Sequence, residues 1–158
     1  MFCLSCSPTT YTHGVPNLAE VDNGLWRSGQ PTTLEAWTYL HSIGVKHVVK
    51  LNFESEGSDA LAEKVGIDVT TLSIEPNGDV VTIFDPPNEG RVVVAISLLG
   101  PGWLVHCSHG QDRTGYVVGR YRVERDGWTK GDAYHEMLDH HFHPELPGLH
   151  EAWEDFRP

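Results

Sequence analysis

Trp103-Leu104-Val105-His106-Cys107-Ser108-His109-Gly110-Gln111-Asp112-Arg113-Thr114-Gly115 decides the reading of this 158-residue chain. Its first three residues are apolar and very short for a strand, and from Arg113 the apolar positions Val117, Val118 and Tyr121 recur at helical spacing to about Asp126. The segment reads as a buried strand, a tight loop and a helix. A cysteine ending the strand, five residues, and an arginine opening the helix together build an anion cradle. The loop amides turn inward, the helix N-terminus adds partial positive charge, and Gly110 supplies backbone angles that a side chain would forbid. The same field stabilises a thiolate at Cys107, the form a nucleophilic cysteine requires. Arg113 can grip two phosphoryl oxygens in a fork that lysine could not reproduce. Thr114 brings a hydroxyl to the helix start, where it can donate to Cys107 when the sulfur must leave.

The flanking sequence alternates strands with helices. Leu18 to Val21 and Leu25 to Arg27 flank the turn tripeptide Asp22-Asn23-Gly24, which predicts a short hairpin. Thr32 stands three residues before Glu35 in capping-box register, and Leu34, Trp37 and Leu40 then recur at helical spacing up to Gly44. Val45 to Leu51 has the length and apolarity of a buried strand, Ser58 can cap a short helix closed by Gly66, and Ile67 to Ile74 alternates as a strand. Glu75 to Asn88 carries three prolines, a glycine and three carboxylates and predicts a surface loop. Val92, Val93, Ile96 and Leu99 give the next helix its apolar face, Thr129 caps another through Leu138, and Leu149 to Phe156 makes a last one. The pattern is that of an α/β domain with a mainly parallel central sheet, whose ligands sit beyond the carboxyl ends of the strands, where Cys107 falls. Met1 to His13 lacks either periodicity, so residues 1–14 are expected to be a tail and residues 15–158 one domain.

Composition removes several function classes. Eleven Lys plus Arg against 22 Asp plus Glu give a formal net charge of −11, which lacks the basic footprint of a nucleic-acid or anionic-membrane binder. No apolar run approaches the ~20 residues of a membrane span, and the first residues lack a signal-peptide pattern, so a soluble, cytoplasmic protein is expected. Three cysteines, an odd count, fit reducing conditions better than a disulfide scaffold. Cys3 and Cys6 form a CxxC pair without a matching second pair and are read as tail thiols.

His106 to Gly115 resembles the HCxxGxxRTG signature of the cysteine-dependent protein tyrosine and dual-specificity phosphatases. Leu25-Trp26-Arg27-Ser28-Gly29-Gln30-Pro31 also resembles a segment of small bacterial and plant-type members. The resemblance implies a three-layer fold, a phosphocysteine intermediate on Cys107, Arg113 as phosphate clamp, and Ser108, His109, Gly110, Gln111, Asp112 and Arg113 as the phosphate-binding loop. It implies that His106 orients the loop and supports the thiolate, with Thr114 beside it, and that no metal or other cofactor is needed.

The general acid is less marked, because the family's Trp-Pro-Asp triplet is missing. Asp85, just ahead of two prolines and a helix, is preferred because it resembles the acid loop of several small members. Glu75 and Asp79 stay in play. Asp112 is a fourth candidate by likeness to phosphoinositide phosphatases of the myotubularin group, or else it only braces the loop. His135 and Asp139 have i, i+4 ligand spacing near His140, His141 and His143, yet a helix end rich in imidazoles is the preferred reading and no catalytic metal is expected. A zinc site on His106, Cys107 and His109 would leave Gly110 and Arg113 unexplained, and a nucleotide P-loop would require Gly-Lys-Ser/Thr. The expected activity is hydrolysis of phosphate monoesters on phosphorylated proteins or small phosphoesters. A phosphoinositide or inositol phosphate phosphatase is the first alternative, disfavoured because residues 108–112 hold no Lys or Arg, and a non-catalytic phosphate-binding module is the second.

Overall fold

The computed structural model describes residues 8–75 and 86–158. Seven strands run in the order β1 (Tyr11–Thr12), β2 (Val15–Pro16), β3 (Ala19–Asp22), β4 (Leu25–Ser28), β5 (His47–Lys50), β6 (Asp68–Thr71) and β7 (Trp103–His106). The helices are α1 (Leu34–Ser42), α2 (Ala60–Lys64), α3 (Pro86–Leu98), α4 (Arg113–Glu124), α5 (Lys130–Asp139) and α6 (Pro147–Asp155), with a 3-10 turn at Glu54–Glu56. Strands β3 to β7 form one sheet in the order β3-β4-β7-β5-β6. Within this sheet, among the described residues, only the β3–β4 hairpin is antiparallel; β4, β7, β5 and β6 are parallel.

Alternation along the central strands explains the layers. Val48 and Leu104 bury on one face with Trp37, Leu40 and Ala62, so α1 and α2 cover that side. Val49 and Val105 bury on the other with Val92, Tyr116, Met137 and Trp153, which places α3 to α6 opposite. The expected α/β architecture with a mainly parallel sheet is therefore present, and β5, α2 and β6 form the expected βαβ unit. In register, Ser28, His106 and Lys50 lie side by side at the carboxyl ends of β4, β7 and β5. The loops that follow β5 and β7 meet beyond this edge, where Glu56 and Ser108 line one cavity.

Several local expectations shift. The cap of α1 is Thr33, whose side chain accepts from the Ala36 amide at 3.1 Å, one residue after Thr32. Leu34 then lies on the exposed side, and Ala36, Trp37 and Leu40 make the buried face. Ser58 accepts from Ala60 N, but the cap position of α2 belongs to Asp59. Val93 is half exposed, and the buried stripe of α3 is Val92, Ala95 and Ile96. The stretch expected to be tail contains β1, which pairs with β2 as a small ribbon. Thr129 caps α5 as expected, accepting from Asp132 N at 3.0 Å. Helix α4 is buried from Arg113 to Val123 and runs through the centre of its layer. Its arginines are matched by carboxylates: Arg120 bonds Glu89 and Glu124, and Arg122 bonds Asp22, Asp126 and Glu136. Among the described residues no helix is long and apolar enough to cross a membrane.

Candidate active site

Cys107 follows β7 directly and is buried, with its sulfur accepting from Thr114 Oγ1 at 3.1 Å in the first turn of α4. Arg113 opens the same helix, and its guanidinium faces back over the loop. A cavity of about 250 Å³ is lined by Glu56, Cys107, Ser108, His109, Asp112, Arg113 and Leu146. Cys107 and Arg113 thus share one concavity beyond the carboxyl end of the sheet. Gly110 has φ +74°, and a Cβ there would lie 2.4 Å from the carbonyl carbon of Ser28, so both its conformation and its space are reserved for glycine.

The sequence reading missed Glu56. Its Oε1 accepts from Arg113 Nη2 at 2.7 Å and from Ser108 Oγ at 2.8 Å; its Oε2 accepts from Arg113 Nη1 at 2.9 Å and from Phe53 N at 2.7 Å. The hydrogen bond from Arg113, more than the smaller contributions of Phe53 and Ser108, holds the Glu56 carboxyl down at about 2 against partial burial. On the other partner, burial is the largest influence and disfavours the charge, but Glu56, Cys107 and Glu75 outweigh it and raise the Arg113 pKa above its ordinary value. The one cue was topological: Glu56 lies just past the end of β5, on the edge where parallel sheets place their ligands.

Behind the loop, His106 is joined by Asp59, Gln30 and Asn52, partners that the sequence did not reveal. His106 is wholly buried, and its Nε2 donates to Asp59 Oδ2 at 2.7 Å, since a carboxylate can only accept. Asp59 Oδ1 accepts from Gln30 Nε2 at 2.6 Å, and Gln30 Oε1 accepts from Asn52 Nδ2 at 2.9 Å. Burial alone would raise the Asp59 pKa, but the bond and charge of His106, with Gln30 and Lys50, reverse it and keep the carboxyl ionised. His106 therefore stands behind Cys107 with its ring held by this chain of buried polar groups.

A model described as the tyrosine phosphatase family matches residues 15–143. The chain belongs to the tyrosine phosphatase family. It is 33% identical over 124 residues to the inositol diphosphatase DSP4 of Arabidopsis thaliana, covering 76% of this chain and 61% of that protein. It is 31% identical over 121 residues to the dual specificity protein phosphatase TpbA of Pseudomonas aeruginosa, covering 77% and 53%. The chain thus spans little more than half the length of the curated relatives it matches. In structure it is similar to P. aeruginosa TpbA, with a TM-score of 0.71 at 23% identity over 89% of this chain and 85% of that one. The core catalytic domain of the PP-IP phosphatase SIW14 from S. cerevisiae gives 0.70 at 19% identity, with the same coverages. At these identities the structural likeness speaks for the fold.

Within this tyrosine phosphatase framework the acid candidates separate. Asp79 and Asp85 lie outside the described residues, as do Cys3 and Cys6. Glu75 acts electrostatically on Arg113. Asp112 lines the cavity, but its Oδ1 accepts from His143 N at 2.8 Å and from His143 Nδ1 at 3.0 Å. That is the bracing geometry considered for it. The histidines disperse: His135 and His141 are exposed, and His140 is held down at about 4 by burial and then by the charge of Arg27. Among the described residues no three His, Cys, Asp or Glu side chains are placed to hold a metal ion.

Proposed function

We propose that this chain is a protein tyrosine or dual-specificity phosphatase that hydrolyses phosphate monoesters through a phosphocysteine intermediate. The observation that carries the reading is the cavity in which Cys107 and Arg113 meet, with Thr114 bonded to the sulfur behind it. The Cys107 thiolate attacks phosphorus, an S–P bond forms, and the ester P–O bond breaks as the leaving oxygen takes a proton from a carboxylic acid. Arg113 and the amides of residues 108–112 hold the equatorial oxygens through both steps. Water then attacks phosphorus, its proton returns to the carboxylate, and the S–P bond breaks to restore the thiolate, eased by the hydroxyl of Thr114. Asp85 is our choice for the acid: Asp112 is engaged by His143, and Asp85 directly precedes the helix that begins at Pro86.

The likeness to the Arabidopsis inositol diphosphatase favours a second substrate class, inositol diphosphates. The lining of the site supports the first. Besides Arg113, the cavity is bordered by Glu56 and Asp112, and an adjoining one of about 420 Å³ adds Glu145. Among the described residues neither is lined by a second Lys or Arg, so a substrate with several phosphates would meet carboxylates where it needs cations.

The test uses the full chain with phosphotyrosine and phosphothreonine peptides, inositol hexakisphosphate and a diphosphoinositol phosphate, beside the Cys107→Ser variant. Turnover of the peptides, lost in the variant while inorganic phosphate still binds, is the expected result. Turnover retained in Cys107→Ser would remove the mechanism, and selective cleavage of the diphosphate would replace the substrate class.

A further inference from the structure

Three consecutive carbonyls of the phosphate loop are held from behind by one stretch of chain. The Gln30 amide donates to Ser108 O at 3.0 Å, Asn17 Nδ2 to His109 O at 2.8 Å, and Arg27 Nη2 to Gly110 O at 3.0 Å. A trans peptide unit is planar, with its C=O and N–H on opposite sides. Drawing these carbonyls away from the cavity therefore aims the N–H groups of His109, Gly110 and Gln111 into it. The two backbones touch: a Cβ on Gly29 would lie 3.0 Å from Ser108 O, and one on Gly110 would lie 2.6 Å from Gly29 N. No water-sized gap separates the loop from its support.

Arg27 is the unusual member of this support. It is 1% exposed, and its Nε and Nη1 are buried with no hydrogen-bond partner among the described residues. Burying a cation with unmade bonds opposes folding. Among the described residues its hydrogen bond goes to the loop, to Gly110 O, and its charge lies close enough to attract the Cys107 thiolate. Burial, the largest influence, lowers the Arg27 pKa to about 10, which still leaves it charged at neutral pH.

We infer that Arg27 and Asn17 are positioning residues for anion binding: they turn the amides of residues 109–111 into the site, and Arg27 places a buried positive charge beneath the phosphate without touching it. The proposal rests on the phosphatase reading only in taking phosphate as the ligand. Asn17 has φ +49°, a conformation that glycine adopts freely, so Asn17→Gly deletes the carboxamide, whose Oδ1 also accepts from Thr10 N at 3.1 Å, and keeps the backbone bond from Asn17 N to Thr10 O.

The experiment measures inorganic phosphate binding by calorimetry, kcat and KM on an aryl phosphate, and urea unfolding, for the full chain and for Arg27→Met, Arg27→Lys and Asn17→Gly. Phosphate should bind Arg27→Met about tenfold more weakly and Asn17→Gly about threefold more weakly, in line with one charged or one neutral donor lost. KM should rise more than kcat falls. The urea midpoint of Arg27→Met should be unchanged or higher, because an apolar chain of similar length replaces a half-paired cation. Arg27→Lys, which keeps the charge but not the fork, should fall between, and with Asn17→Gly it carries the test if Arg27→Met does not fold. Equal phosphate affinity in the variants overturns the proposal, as does a loss in Arg27→Met that only follows lost stability while Asn17→Gly binds normally. Weakened binding in the variants of a chain that cleaves no ester would leave the clamp standing and remove the functional reading. A wild type that binds no phosphate removes both.

Discussion

Glu56 occupies Arg113 with both carboxylate oxygens, at 2.7 Å from Nη2 and 2.9 Å from Nη1, and its Oε1 also takes the hydroxyl of Ser108. An anionic group of two oxygens already sits on the side chain proposed to receive an anionic ligand. A phosphate must share that guanidinium with Glu56 or exchange for it, so the resting contact sets a threshold for binding and keeps the fork oriented when the site is empty of substrate.

Replacing Glu56 by Gln should therefore separate binding from turnover. With the negative charge gone, inorganic phosphate and vanadate should inhibit about threefold to tenfold more tightly, while kcat falls because Arg113 is held less firmly. Steady-state inhibition on an aryl phosphate reads both. The stability effect has a definite sign. Folding depresses the Glu56 pKa from 4.5 to about 2, so its contribution is complete above pH 4.5 and is lost as the pH falls toward 2. Urea midpoints between pH 5 and 2, set within about that window, should decline less steeply in Glu56→Gln than in the wild type. Weaker phosphate inhibition in the variant would mean that Glu56 serves the bound anion rather than opposing it.

Thr114 should matter most when the sulfur has to leave. Its Oγ1 donates to Cys107 Sγ at 3.1 Å from a fully buried position, so Thr114→Val removes the donor at nearly constant volume. Breakdown of the phosphocysteine should slow by about tenfold, and its formation less, since an uncapped thiolate is no worse a nucleophile. Rapid mixing with a nitrophenyl phosphate should show a larger burst than the wild type gives. Equal slowing of both phases would assign Thr114 to packing.

His140 predicts a pH dependence of folding that does not involve the catalytic groups. Burial first, and the Arg27 charge second, depress its pKa from 6.5 to about 4. Between these values the unfolded chain takes up a proton that the folded chain refuses, so stability is highest above pH 6.5 and declines as the pH falls to 4. Replacement by Gln should flatten that decline by several degrees in the thermal midpoint at pH 5. An unchanged slope would place the acid sensitivity in the carboxylates.

The parts of this molecule that could be read from sequence are those written in local signals. The strand and loop from Trp103 to Arg113, the β3–β4 hairpin and the cap at Thr129 each follow from neighbouring residues, and alternation such as Val48 against Val49 encodes two covered faces. What could not be read depends on distant segments meeting at one sheet edge. Glu56 and Arg113 are 57 positions apart, Asp59 and His106 are 47, and Arg27 and Gly110 are 83. A glutamate after a strand carries no local mark of the arginine it will pair with. Thr32 and Thr33 could each cap α1, and only the packing of Trp37 and Leu40 selects the second.

The acid assignment can be decided by leaving groups. A carboxylic acid helps only if the departing oxygen is basic, so its loss should slow phenyl phosphate by about a hundredfold and hardly affect an activated dinitrophenyl ester. It should also erase the alkaline limb of the kcat profile, because above its pKa the group has no proton to give. Asp85→Asn is expected to show both effects. Asp112→Asn should not, because its Oδ1 accepts from the amide and Nδ1 of His143, and a primary amide still offers one oxygen to that amide. Glu75→Gln should alter phosphate affinity more than leaving-group sensitivity, since Glu75 acts on the charge of Arg113. If the two signatures appear together in Glu75→Gln, the proton comes from the residue nearest in sequence to the end of β6, and Asp85 is left as a carboxylate at the start of α3. If they appear in Asp112→Asn, the contact with His143 is a relay rather than a brace, and His143→Gln should then reproduce the lost alkaline limb.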